Sequence, residues 1–168
     1  MKNSPITRAK EIASRVHEDQ VDKKNYPYMA HILDVASRVS HLGENYEIVG
    51  LLHDAIEDAE PENFKREIVS AIKKEFSEKA LEAIVAMSKK EGEDYFQDYL
   101  PRLKKNKIAV AVKIADSSHN LSKAHLIEDK QLQQKLRNKY IKVLNELGAD
   151  GKALEKPLVF EYEKWKQL

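Results

Sequence analysis

The sequence predicts one all-α domain, a helical bundle spanning residues 1–168. Three observations carry that reading. Apolar residues recur at three-to-four spacing in several separate runs, and no stretch convincingly shows the alternation of a half-buried strand. A chain of 168 residues is also long enough to close one core without staples, and it has no cysteine with which to make any.

The elements follow in order. Ile6, Ala9, Ala13 and Val16 mark a first helix, with Ser4 as its cap and Pro5 at its first helical position. A break at Lys24-Asn25-Tyr26-Pro27 leads into YPYMAHILDVASRV, an amphipathic helix whose apolar side runs through Leu33, Val35, Ala36 and Val39. After a break at His41 to Asn45 comes LLHDAIEDAE, residues 51–60, read as one helix that opens apolar and closes charged. Pro61-Glu62-Asn63 separates it from a helix carrying Ile68, Ile72 and Phe76. Ser77 caps the next, which carries Leu81, Ile84 and Val85 and stops before Glu91-Gly92. The run Ile108 to Ile114 could pass for a strand, but its alanines and its continuation into polar SSHN favour a buried helix. Breaks at Gly148 to Gly151 leave Pro157 to Leu168 as a helical or irregular, partly exposed tail.

Composition narrows the function classes. Lysine and arginine total 29 against 28 aspartate and glutamate, so no one-signed field invites nucleic acid. The N-terminus lacks the apolar stretch of a secretory leader, and no apolar run approaches membrane-spanning length. A cytoplasmic protein with a small-molecule partner, no nucleic acid and no membrane is the expectation; the sequence assigns no oligomeric state.

The charge in LLHDAIEDAE asks for a counter-ion. On a helix His53 and Glu57 share one face, as do Asp54 and Asp58, with Leu51, Leu52 and Ala55 beside them. Buried carboxylates need a positive partner, and a divalent metal is the most economical single one. Two further segments supply ligands: His31 at the start of its amphipathic helix, and Asp116 in KIADSSHNL, with Asn120 one turn later. His31, His53, Asp54 and Asp116 together offer two imidazoles and two carboxylates, a set suited to Mn²⁺, Fe²⁺, Co²⁺ or Mg²⁺ as well as Zn²⁺.

The order His, His-Asp, Asp resembles the HD-domain metal-dependent phosphohydrolases. DQVDKKNYPYMAHILDVA, GLLHDAIEDAE and VAVKIADSSHNL resemble more closely the hydrolase domain of the RelA/SpoT-type alarmone enzymes and their small stand-alone relatives. The segment from Lys89 to Asp116 is also similar to small bacterial and phage HD phosphohydrolases. The resemblance implies His31, His53, Asp54 and Asp116 as ligands of one divalent ion, Mn²⁺ first. It implies Glu57 and Asp58 as the catalytic pair beside the attacking water, and Lys23 and Asn120 as contacts to a nucleotide. The activity it implies is a guanosine 3′,5′-bis(diphosphate) 3′-pyrophosphohydrolase. The alternatives are an HD phosphohydrolase of another (deoxy)nucleotide or phosphate ester, and a non-catalytic metal-binding regulatory module. Departures fall at Ile32, where the family has proline, at Lys24-Asn25, at Ser117-Ser118, and at Asp22, where the alarmone hydrolases carry a base-contacting arginine.

Lys89, Lys90, Lys113 and Lys123 lie in or near these motifs as phosphate candidates, and Tyr95 and Tyr99 are either stacking residues or core. His17, His41, His119 and His125 receive no metal role, His119 because it should leave the helix on a different face from Asp116.

Overall fold

A computed structural model describes residues 3–151 together with two short strands at 158–161 and 164–167. The helices are α1 (Pro5–Val16), α2 (Tyr28–Val39), α3 (Glu44–Leu52), α4 (Ala55–Asp58), α5 (Glu62–Glu75), α6 (Glu78–Met87), α7 (Leu100–Leu103), α8 (Lys107–Lys123) and α9 (Lys130–Glu146). A π-helical turn, Tyr95–Tyr99, leads into α7. The expected caps are in place: the Ser4 hydroxyl accepts from Thr7 N–H and the Ser77 hydroxyl from Ala80 N–H.

Helix α3 lies at the centre and packs on α1, α2, α6 and α8; α8 in turn packs on α2, α6 and α9. The α2–α3 contact is close because Gly50 has no side chain: a Cβ there would stand 2.7 Å from the Ala36 Cα. One core results, with Ile32, Val35, Val49, Leu51, Leu52, Ile68, Ile84 and Val112 fully shielded. Ile108 to Ile114 is helical, as its alanines suggested.

Three expectations need correction. LLHDAIEDAE is not one helix: α3 ends at Leu52 and α4 begins at Ala55. The His53 ring takes up the Gly50 carbonyl at 2.7 Å, competing for the acceptor that an unbroken helix gives to the N–H of residue 54. Leu33 and Val85, placed on apolar faces, are 45% and 43% exposed, because the neighbouring helices cover narrower stripes than the sequence pattern offers. In the tail, Leu158–Glu161 pairs antiparallel with Lys164–Gln167, where a helical or irregular segment was expected. Val159, Phe160 and Trp165 are residues that favour extended backbone. Residues 157, 162, 163 and 168 of that tail lie outside the described set.

Candidate metal centre

Three segments converge on one buried point. His31 comes from the first turn of α2, His53 and Asp54 from the interruption between α3 and α4, and Asp116 from the middle of α8. His31, His53 and Asp54 each offer a ligand atom within 4.8 Å of the others. Asp116 Oδ1 lies 3.1 Å from His31 Nε2 and 3.9 Å from His53 Nε2, and Asp54 Oδ2 lies 3.0 Å from His53 Nε2.

The far side of each ring fixes what the near side presents. The Gly50 carbonyl can only accept, so His53 Nδ1 carries the proton and Nε2 turns a lone pair toward the carboxylates. His31 Nδ1 meets His119 Nδ1 at 2.7 Å. With the His31 nitrogen donating there, its Nε2 is likewise left to face Asp116. Both Nε2 atoms are buried and make no hydrogen bond. Lone pairs opposite carboxylates repel unless a proton or a cation lies between them, and this donor set fits a divalent ion.

The electrostatics point the same way. Burial by itself would lower the His53 pKa, yet Asp54 and then Asp116 raise it to about 9. Burial opposes ionisation of Asp116, but the Lys113 ammonium, 2.7 Å away, leads the contacts that hold it well below the usual carboxylate range. Asp54 is also depressed, against burial, chiefly by His53. Its Oδ2 accepts a 2.6 Å hydrogen bond from the Tyr28 hydroxyl, whose own pKa is pushed up by burial and by Asp54 and Asp116. Burial first, and the neighbouring His31 next, lower His119 to about 4, so it is neutral at pH 7.

Glu57 and Asp58 sit beside this centre, each with a separate tether. Glu57 Oε2 accepts the Lys89 backbone N–H at 3.0 Å, and Asp58 Oδ2 accepts Gln20 Nε2 at 3.0 Å. Gln20 is in turn held by His17 Nδ1 at 2.6 Å. Partial burial is the largest influence that raises both carboxyl pKa values, and the Asp54 charge adds to it. A cleft of about 310 Å³ opens next to them, lined by Gln20, Lys23, Tyr28, Asp58, Asn120 and Tyr140 among others.

The structure brings all the sequence-selected site residues to this region, with some roles reassigned by contact. Asn120 lines the cleft, and its amide donates to Asp116 Oδ1 at 2.8 Å. Lys23 is an exposed cleft residue. Asp22 is a loop anchor: its Oδ1 accepts the N–H groups of Lys24 and Tyr26, and its Oδ2 pairs with Lys24 Nζ at 2.9 Å. Lys113 binds Asp116, whereas Lys90 and Lys123 are exposed. Tyr99 is core, its hydroxyl donating to Met87 O at 2.6 Å. His119 does leave α8 on another face from Asp116, yet it reaches the opposite edge of the same His31 ring. Sequence reasoning missed Tyr28, His119 and His17, which act through a neighbour. Tyr28 alone left a readable trace, an aromatic one turn before His31.

An all-helical domain that gathers histidine, His-Asp and aspartate from three separate helical segments is a metal-site class with a name: residues 28–121 match the HD domain, and the chain belongs to that family. Among curated relatives, the chain is 29% identical over 173 residues to a GTP pyrophosphokinase of Myxococcus xanthus, covering 95% of this chain and 23% of that one. It is 34% identical over 86 residues to the guanosine-3′,5′-bis(diphosphate) 3′-pyrophosphohydrolase of Aquifex aeolicus, covering 50% and 12%. The chain thus spans less than a quarter of either relative's length. A solved structure of a metazoan orthologue of SpoT, described as hydrolysing ppGpp, superposes with a TM-score of 0.70 at 20% identity over 92% of both chains. That likeness is one of fold. Among the described residues, no helix is long and apolar enough to cross a membrane.

Proposed function

We propose that this chain is a cytoplasmic, single-domain, Mn²⁺-dependent hydrolase that removes the 3′-pyrophosphate of guanosine 3′,5′-bis(diphosphate). The observation that carries the proposal is the pair of buried, unbonded Nε2 atoms of His31 and His53 facing Asp54 and Asp116, next to a separate carboxylate pair. The Aquifex relative's activity supports the choice of substrate.

His31, His53, Asp54 and Asp116 would hold the ion, which when bound supplies positive charge to a phosphoryl oxygen and acidifies water. Protein groups do the rest. Glu57 and Asp58, held by Lys89 N–H and Gln20, stand where an ionised carboxylate can orient the attacking water and accept its proton. Their raised pKa values make either one a better proton acceptor than an ordinary surface carboxylate. Tyr28 orients Asp54, His119 orients His31, and Lys23 and Asn120 flank the substrate cleft.

One observation favours a second reading, hydrolysis of a different nucleotide or phosphate ester. Asp22 replaces the arginine that the resemblance leads one to expect, and both its oxygens are committed to its own loop. The intact Glu57-Asp58 pair speaks against a purely regulatory module. The test is phosphate and pyrophosphate release from a nucleotide panel with Mn²⁺ or chelator. Chelator-sensitive pyrophosphate release from the guanosine compound alone supports the proposal; release from other members selects the second reading. Glu57→Gln should retain Mn²⁺ and lose turnover, whereas His53→Ala and Asp116→Ala should lose the metal. Full activity in Glu57→Gln would remove that residue from the chemistry.

A further inference from the structure

Helices α2 and α8 share a polar seam that runs on past the metal centre. His31, Asp34 and Arg38 stand at i, i+3 and i+7 on α2, and Asp116 and His119 at i and i+3 on α8, so each set occupies one face of its helix. Side chains from the two faces alternate. Asp116 Oδ1 meets His31 Nε2 at 3.1 Å, and His31 Nδ1 meets His119 Nδ1 at 2.7 Å with the rings tilted by 41°. On the far edge of that second ring, His119 Nε2 lies 3.9 Å from Asp34 Oδ2. Arg38, itself buried, donates its Nε–H to Asp34 Oδ1 and so leaves Oδ2 for the histidine.

Two neutral imidazoles can share one proton either way, and each way has a consequence at both ends. With the proton on His31 Nδ1, His31 turns a lone pair toward Asp116, and His119 carries its own proton on Nε2, facing Asp34. With the shared proton on His119 Nδ1, His31 is protonated on Nε2, where a metal would bind, and His119 sets a lone pair opposite a carboxylate. An anion at 3.9 Å favours the first arrangement over the second.

We propose that Asp34, clamped by Arg38, is a positioning residue that selects the metal-binding tautomer of His31 through His119. It touches neither the ion nor the substrate. The role rests on the reading of this centre as a metal site, and ring tautomers in metal-free protein test it separately from that reading.

Nuclear magnetic resonance of the ring nitrogens, recorded on the full chain with chelator, distinguishes an Nδ1–H from an Nε2–H imidazole. The wild type should show His31 protonated on Nδ1 and His119 on Nε2. Asp34→Asn keeps the shape, but Arg38 can only donate and so holds the amide oxygen. The amide nitrogen then faces His119 Nε2 and favours a lone pair there, so both rings should change tautomer together. Mn²⁺ affinity should fall by about tenfold or more in Asp34→Asn, the scale of an outer-shell partner. It should fall less in Asp34→Ala, which favours neither tautomer.

A merely structural role gives the opposite order, because alanine removes more contacts than asparagine. Unchanged tautomers in Asp34→Asn, or a larger loss of Mn²⁺ affinity in Asp34→Ala, overturn the proposal. The expected tautomers and their reversal, in a chain whose wild type binds no Mn²⁺, keep the control by Asp34 and sink the metal reading.

Discussion

Replacing Tyr28 with phenylalanine isolates one oxygen atom at the centre. The ring packs at 5.1 Å from His17 and 5.2 Å from His31 between centroids, and phenylalanine keeps that packing. What is lost is the 2.6 Å hydrogen bond to Asp54 Oδ2. A hydrogen bond to a charged group contributes about 1.5–3 kcal/mol, and losing an outer-shell partner typically lowers metal affinity about 10- to 100-fold. The two figures agree, since tenfold corresponds to about 1.4 kcal/mol. Free Mn²⁺ followed by its electron paramagnetic resonance signal during titration should therefore show that loss of affinity in Tyr28→Phe, with His53→Ala as the non-binding reference. Affinity equal to or tighter than wild type would refute the idea that the hydroxyl orients Asp54 for a metal.

Two further predictions concern the scaffold. Gly50→Ala places a methyl 2.7 Å from the Ala36 Cα and should cost about 1–3 kcal/mol of overpacking, seen as a fall in Tm of about 2–4 °C for each kcal/mol; an unchanged Tm would show that α2 and α3 can separate freely. The second is a pH effect. A hydrogen bond from Arg102 holds the Glu93 carboxyl at about 2, below its ordinary 4.5. A depressed carboxylate adds stability above its unfolded pKa and loses it as pH falls through the folded value. Between pH 4.5 and 2 the wild type should lose Tm more steeply than Glu93→Gln, and parallel curves would refute the pair's contribution. Arg102 also donates to the Ser88 carbonyl at 2.9 Å, next to the Lys89 N–H that tethers Glu57, so this pair braces the loop beside Glu57.

Asp22 shows how contact changes the meaning of a substitution. Read along the chain, an anion in place of a base-contacting arginine weakens the hold on a purine. In the folded loop its carboxylate caps two backbone N–H groups and pairs with Lys24, so its charge is locally balanced. It stays ionised because Lys24 and those N–H groups outweigh the burial that opposes them. The loop it closes, with Asn25 in the left-handed region at φ 61°, carries Lys23 to the cleft.

The sequence by itself determined the helical class, because apolar spacing and caps such as Ser4 and Ser77 are local properties that survive into the fold. It also determined the chemistry of the candidate site, since imidazoles and carboxylates on apolar helices demand a cation wherever they meet. Tertiary structure decided the rest. The break after Leu52 depends on a ring reaching a carbonyl, a competition between two hydrogen bonds that periodicity does not register. His119 and Tyr28 support His31 and Asp54 only because α2 lies against α3 and α8, contacts between residues up to 88 positions apart. Lys139 is one lysine among many until α9 folds back and sets it over Tyr95. Charge spacing along a helix shows which groups can share a face; which partners satisfy them is fixed by distances across the core, where short-range packing and hydrogen bonding act between segments remote in sequence.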